Sequence, residues 1–341
     1  MMASERVESA IEDRRAIVND AIAEQLPIRK PERLYSASRY LLDAGGKRLR
    51  PTVLLLVAES VSETGSPVDD YRAFPTPHGE SIDVLSAAVS IEVIQSFTLI
   101  HDDIMDDDDL RRGVPSVHRE YDLETAILAG DTLYSKAFEY MLGTGAPSDR
   151  SVEALNELAT TCTEICEGQS LDVEFETRTD VTTEEYLEMV EFKTAVLYAA
   201  AASIPAILLG CEQETVDELH GYGLDIGRAF QIQDDLLDLT VPSDTLGKRR
   251  GSDLIEGKRT VITLHARDQG IDTDSLVPDD PSDAEIEAAV EQLEAAGSID
   301  FARELASDLI ESGKQRLEVL PDNESSELLE GIADFLVERG Y

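Results

Sequence analysis

Residues 100–113 read IHDDIMDDDDLRRG, and residues 230–238 read FQIQDDLLD. Each stretch closes an apolar helical run, Ile91 to Ile100 or Ile226 to Ile232, with an Asp-Asp-x-x-Asp pattern. The acids are Asp102, Asp103 and Asp106 in the first and Asp234, Asp235 and Asp238 in the second. Positions i, i+1 and i+4 of a helix share one sector, so three carboxylates are expected to converge on a common point. Carboxylates at the end of a buried helix are costly unless a cation compensates them, and the helix C-terminus is itself partly negative. Hard oxygen ligands suit Mg²⁺, which keeps its waters and completes its octahedron with substrate phosphates. With 71 acidic residues in the chain, such patterns also arise from composition alone. A third one, Asp279 to Asp283, contains Pro281 and a Ser282/Glu285 capping box, and reads as a solvated loop and helix cap.

Outward from these motifs, almost every segment has helical period. Glu5 to Glu24 is amphipathic, Arg33 to Ala44 stops at Gly45-Gly46, and Pro51 opens the next helix. Residues 62–81 form an acidic loop rich in proline and glycine. Ile82 to Ile104 is apolar nearly all round, hence central. Further helices are expected at 123–142, 151–176, 183–209, 214–239, 260–267, 283–296, 299–320 and 325–339. Ala195 to Leu209 is interrupted by Ser203 and Pro205, reads as two buried helices meeting at a kink, and is too short to span a bilayer. Neither strand alternation nor a repeat emerges, so residues 1–341 read as one all-α domain.

The formal net charge is −42, which repels nucleic acid and anionic lipid headgroups. Apolar residues are 42% of the chain, enough for a sizeable core. Acid surplus with only seven lysines fits a surface kept hydrated in very salty cytoplasm, where self-repulsion is screened, and so a halophilic source. Cys162, Cys166 and Cys211 form no zinc spacing and no disulfide framework; Cys162 and Cys166, one turn apart, read as small buried hydrophobes. The charged N-terminus lacks the apolar core of a signal peptide, consistent with a cytoplasmic protein.

Because lysine is so depleted, the survivors inform. Lys47, Lys193, Lys248 and Lys258 sit in compact polar or glycine-bearing settings. GGKRLRP at 45–51 puts cations at a glycine-loosened helix start, a natural diphosphate site. Arg111-Arg112-Gly113 follows the first acidic motif, and GKRRGSDLIEGK at 247–258 follows the second. Arg48 alone reads as an ordinary cation paired with one of the many acids.

The order of motifs, GGKRLRP, IHDDIMDDDDLRRG, EGQSLD, FKTA, FQIQDDLLD and GKRRGSDLIEGK, resembles the trans-isoprenyl diphosphate synthase family over about residues 30–265. That resemblance implies a helical bundle of the isoprenoid synthase type with a central cavity, usually a homodimer. It implies Mg²⁺, three ions with diphosphate bound, held by Asp102, Asp103, Asp106, Asp234, Asp235 and Asp238, with Asp172 beside Gln169 as a further carboxylate. Arg111, Lys193, Lys248 and Lys258 would hold an allylic diphosphate; Lys47, Arg50, Gln95 and Arg112 would hold isopentenyl diphosphate. Many relatives have histidine where this chain has Gln95. Thr194 and Gln231 fall where relatives line the reacting carbons. The implied chemistry is ionisation of the allylic C–O bond, attack by the isopentenyl double bond, and proton loss.

Phe97, five residues before the motif, with Thr98 beside it, falls where relatives form the cavity floor. Together with the short first motif it resembles geranylgeranyl diphosphate synthases and favours a C20 product, with C15 and C25 open. A class I terpene cyclase shares the acidic motifs, yet GGKRLRP and RRG supply cations for a second diphosphate. A di-iron carboxylate bundle wants Glu-x-x-His pairs, and none of the five histidines has Glu three before it. A non-catalytic regulatory subunit would show eroded motifs, and these are intact.

Overall fold

The computed structural model describes residues 3–62, 70–76, 79–242, 250–278 and 280–337. Helices dominate, at positions close to those the periodicity gives. They are α1 (Ala3–Gln25), α2 (Glu32–Asp43), α3 (Leu49–Val61), α4 (Val84–Met105), α5 (Val117–Glu120), α6 (Leu123–Leu142) and α7 (Ser148–Phe175). Then come α8 (Thr183–Val190), a π turn (Glu191–Ala195), α9 (Val196–Leu209), α10 (Gln213–Thr240) and α11 (Ser252–Ile255). The chain ends with α12 (Val261–Asp268), α13 (Asp283–Ala295), α14 (Ser298–Arg316) and α15 (Glu324–Val337). Among the described residues the only strands are two antiparallel pairs of two residues each. Phe74–Pro75 (β1) pairs with Ser81–Ile82 (β2), and Leu110–Arg111 (β3) with Val114–Pro115 (β4). The first pair and a short 3₁₀ turn, Tyr71–Ala73, give parts of the acidic loop regular structure. Ser282 caps α13 with Glu285 in the expected reciprocal box.

Where the periodicity reads as one domain, the residues cluster into two compact units. The first is Met1–Cys162, Ala200–His220 and Leu317–Gly331; the second is Thr163–Ala199, Gly221–Arg316 and Ile332–Tyr341. In the first, α4 is buried without interruption from Val84 to Ile94, and α3 from Pro51 to Ser60. In the second, Tyr186, Met189, Ile232, Leu236, Val261, Ile262, Leu293, Ile299 and Ala302 share one core.

Two helical stretches, Val84–Met105 and Thr183–Leu209, are long and apolar enough to cross a membrane. Their apolar windows are 72% and 83% buried inside the protein, so their hydrophobicity serves the core. Pro205 lies inside α9, which runs on through it, and a π turn at Glu191–Ala195 precedes that helix. Of the cysteines, Cys162 is buried as expected, but Cys166 is exposed, because α7 turns that position away from its core.

Glu59, fully buried on α3, ties together distant parts of the first unit. Its Oε1 accepts from Arg14 Nε (2.9 Å) and from the Tyr71 hydroxyl (2.5 Å). Its Oε2 accepts from Arg14 Nη2 (2.5 Å) and from Ser325 Oγ (2.9 Å). Four donors satisfy the charge that burial would otherwise penalise. Removing the carboxylate leaves the Arg14 charge buried and alone. Glu59→Ala is expected to lower unfolding free energy by about 3–5 kcal/mol, read by denaturant titration in concentrated KCl. A loss under about 1 kcal/mol would reduce the pair to the worth of a surface contact.

Candidate active site

In the first unit the three carboxylates of the acidic helix end differ in burial. Asp103 is fully buried, Asp102 half-buried and Asp106 exposed. Successive residues on an α-helix diverge by about 100°, so Asp103 turns inward while its neighbour faces out. The chain then folds back through the β3–β4 hairpin, whose turn uses positive φ at Arg112 (55°) and Gly113 (78°). That return lays Arg111 on Asp103: Nε and Nη2 lie 2.6 and 2.5 Å from Oδ1, and Nη2 is 2.9 Å from Asp108. Asp103 Oδ2 is buried and has no hydrogen-bond partner. Burial raises the Asp103 pKa against the pull of Arg111, so this oxygen is an acceptor short of a cation.

The GGKRLRP segment forms the start of α3. Gly46 has φ 137°, and a β-carbon there would stand 3.0 Å from the Arg112 guanidinium. Arg112 Nη1 donates to the carbonyls of Leu41 (2.9 Å) and Gly45. Arg48, read from the sequence as an ordinary cation, is instead 3% exposed and structural. It donates to Glu92 (2.5 Å), Asn19 (2.9 Å) and the Leu42 carbonyl (2.5 Å). Burial, opposed by Glu92 and reinforced by repulsion from Arg48, Arg111 and Arg50, lowers the Arg112 pKa. Lys47 is exposed and Arg50 half-buried in the same segment. Cations held this close favour an anion beside them.

Gln95 and Phe97 are half-buried on α4. The Phe97 ring packs edge-on between His101 (4.9 Å) and Tyr134 of α6 (5.3 Å). Thr98 turns its hydroxyl to the Gln95 carbonyl of its own helix (2.9 Å).

In the second unit FKTA occupies the π turn, a local widening found most often at functional positions. EGQSLD on α7 makes room for it: a β-carbon at Gly168 would lie 2.3 Å from the Lys193 backbone nitrogen. On α10, a β-carbon at Gly227 would lie 2.5 Å from Ala195 Cα, so α10 approaches the turn as closely. Lys193 Nζ reaches Asp172 Oδ2 (2.5 Å), and the Thr194 hydroxyl donates to Gln231 Oε1 (3.1 Å). Gln169 is 8% exposed, with both amide atoms buried and unpartnered.

The second acidic motif also splits. Asp234 is half-buried, while Asp235 is 5% exposed and Asp238 fully buried. Asp235 accepts from the Tyr186 hydroxyl and from Gln231 Nε2 (3.1 Å). Asp238 accepts from Ser252 Oγ (2.7 Å) and the Asp253 backbone N–H (3.1 Å), so it caps α11. Tyr186 and Ser252 had no signal in the sequence beyond lying near a motif. Lys258, half exposed, pairs with Asp253 (3.4 Å) and Glu256 (2.9 Å). Partial burial works against its charge, yet these acids hold its pKa above the usual lysine range. Lys248 lies outside the described residues.

Among the described residues, no three His, Cys, Asp or Glu side chains form a ready metal cage. The donor set still fits a hard divalent cation: every donor is oxygen, and Mg²⁺ takes one or two carboxylates, with waters and phosphate completing its shell. Burial, then Asp253 and, further down, Asp234, push Asp235 up to about 8 despite two donors, the mark of an acidic group lacking a counter-cation.

Oxygen donors at both acidic helix ends suit a hard divalent cation, and the arginine cluster of the first unit suits an anion. The polyprenyl synthetase family model matches residues 31–293. This chain belongs to that family and is a trans-prenyltransferase. It is 80% identical, over 341 residues and the whole of both chains, to the geranylfarnesyl diphosphate synthase of Natronomonas pharaonis. It resembles the solved geranylgeranyl pyrophosphate synthetase of Geoglobus acetivorans with a TM-score of 0.87 and 44% identity, covering 96% of this chain and 99% of that one. The structure of the Corynebacterium glutamicum geranylgeranyl pyrophosphate synthase, complexed with isoprenyl diphosphate and magnesium, matches with a TM-score of 0.79 and 28% identity, covering 98% and 99%.

The Asp235 shift has a measurable sign. Its folded pKa of about 8 exceeds the unfolded value of about 3.9, so the folded chain holds a proton that the unfolded chain releases. Its contribution to stability is therefore full at acid pH and is lost as pH rises from about 4 to about 8. In EDTA, Asp235→Asn should gain on the native protein by up to about 1.4 kcal/mol per pH unit in that window. A pH-independent difference in unfolding free energy would show that Asp235 is ionised throughout.

Proposed function

We propose that this enzyme lengthens an allylic diphosphate with isopentenyl diphosphate and releases a C25 diphosphate. The observation that carries the length is the 80% identity, end to end, with a geranylfarnesyl diphosphate synthase. This departs from the C20 product favoured by the sequence. Phe97 is engaged on both sides by His101 and Tyr134, a packing role that weakens its reading as a free-standing floor. C20 remains the second reading, supported by the geranylgeranyl synthetase from Geoglobus acetivorans.

Lys47, Arg50 and Arg112 serve isopentenyl diphosphate, with Gln95 donating an amide hydrogen to its phosphate. Lys193, Lys258 and Lys248 of the second unit serve the allylic diphosphate, and the pairing of Lys193 with Asp172 holds the ammonium ready. Asp102, Asp103 and Asp106 hold magnesium in the first unit; Asp234 does so in the second, with Asp172 and Asp235 behind it. Asp238 supports α11. Three Mg²⁺ ions, when bound, supply the positive charge that lets diphosphate leave the allylic carbon. Thr194, its proton taken by the Gln231 amide oxygen, turns hydroxyl lone pairs toward the developing positive charge. The isopentenyl double bond then forms the new C–C bond, and a proton leaves to the departing diphosphate.

A homodimer is supported by α6, whose Leu123, Ile127, Leu128, Tyr134 and Leu142 are 38–58% exposed, an apolar face suited to a second copy. Purified protein with Mg²⁺, isopentenyl diphosphate and C5, C10 or C15 allylic diphosphates in concentrated KCl should give one C25 diphosphate. A C20 end product would restore the second reading, and no condensation by folded protein would overturn the function. Asp102→Ala should lower turnover by about 10²–10³-fold in the same assay, without loss of helical signal.

A further inference from the structure

A single hydrogen-bond chain in the second unit runs from the core to the π turn. Tyr186, 2% exposed on α8, donates to Asp235 Oδ2. The other oxygen of that carboxylate accepts from Gln231 Nε2 at 3.1 Å, one turn earlier on α10. Gln231 Oε1 in turn accepts from the Thr194 hydroxyl at 3.1 Å. When Asp235 is ionised its carboxylate only accepts, so both neighbours must then offer it hydrogens. The amide of Gln231 is thereby fixed with its NH₂ toward Asp235 and its oxygen toward Thr194. That oxygen takes the Thr194 proton and leaves the hydroxyl lone pairs directed elsewhere.

Resting on the prenyl-transfer reading above, we propose that Tyr186 is a positioning residue. Its phenol anchors Asp235, and through Asp235 it sets the orientation of the Gln231 amide and the Thr194 hydroxyl. Among the described residues the tyrosine hydroxyl serves no other partner, and an apolar ring alone would fill the same core. Without the phenol proton, Asp235 Oδ2 lies buried and unsatisfied. The carboxylate is then free to rotate or take up a proton, and Gln231 is no longer bound to one amide orientation.

Tyr186→Phe removes the hydroxyl and keeps the ring. The expected result is a kcat about tenfold lower, with KM for isopentenyl and allylic diphosphates within about twofold of the native values. Combined with Thr194→Val, the losses should be non-additive, the double variant being no slower than Thr194→Val, although the two side chains share no hydrogen bond. A merely structural tyrosine would lower the melting temperature and leave the two losses multiplying independently. A second measurement needs no turnover: the side-chain amide of Gln231, followed by ¹⁵N NMR, should shift in Tyr186→Phe. Native kcat in the variant, additive losses, or an unmoved Gln231 amide would each overturn the proposal. Native protein that turns over no allylic diphosphate would instead count against prenyl transfer, and the amide signal would still decide the role of Tyr186.

Discussion

The π turn can lie where it does because position 168 has no side chain. α7 comes so near to Lys193 that a single β-carbon would occupy the space of its backbone nitrogen. Gly227 grants the same approach to α10. Backbones pressed this closely leave little slack, so Lys193 and Thr194 are placed by main-chain contact as well as by their own rotamers. Asp172 then meets Lys193, and Gln231 meets Thr194 with Asp235 bound behind it. Glycine in a helix interior costs about 1 kcal/mol relative to alanine; here the cost is offset by the geometry it permits.

The helices were legible because periodicity and caps are local properties. The boundaries of α6 and the capping box of Ser282 fall where the pattern puts them. The roles of single residues were less legible wherever they depend on the direction of a side chain. Asp102 and Asp103 are neighbours in sequence yet face apart, since one residue turns the helix by about 100°. Asp238, a ligand candidate by its motif, also accepts from Ser252 and the Asp253 backbone, 14 and 15 positions further on. Arg48 looks like a surface cation and is buried, because a left-handed backbone at φ 51° turns it inward to Glu92 and Asn19. None of these contacts is encoded at a fixed spacing. Tyr186 was invisible for the same reason: its partner lies 49 positions away.

Arginine carries out work here that lysine could not. Arg112 spans two carbonyls, Arg14 grips both oxygens of one carboxylate, and Arg48 binds three acceptors in three directions. A planar guanidinium with five donors suits such tasks, whereas an ammonium is a point charge. Two lysines near the motifs are paired by carboxylates, Lys193 by Asp172 and Lys258 by Asp253 and Glu256. An acid surplus thus keeps each retained cation in register until a stronger anion displaces its partner.

The knot at Glu59 has a consequence for how the chain comes into being. Its four donors come from Arg14, Tyr71 and Ser325, so the carboxylate waits through most of synthesis for its last partner. A nascent first unit emerging from the ribosome can assemble α1, α3 and α4, yet the hydroxyl that completes the Glu59 shell is made some 266 residues later. Maturation of that unit is therefore tied to translation of α15, and a chain cut before it leaves the buried carboxylate one donor short.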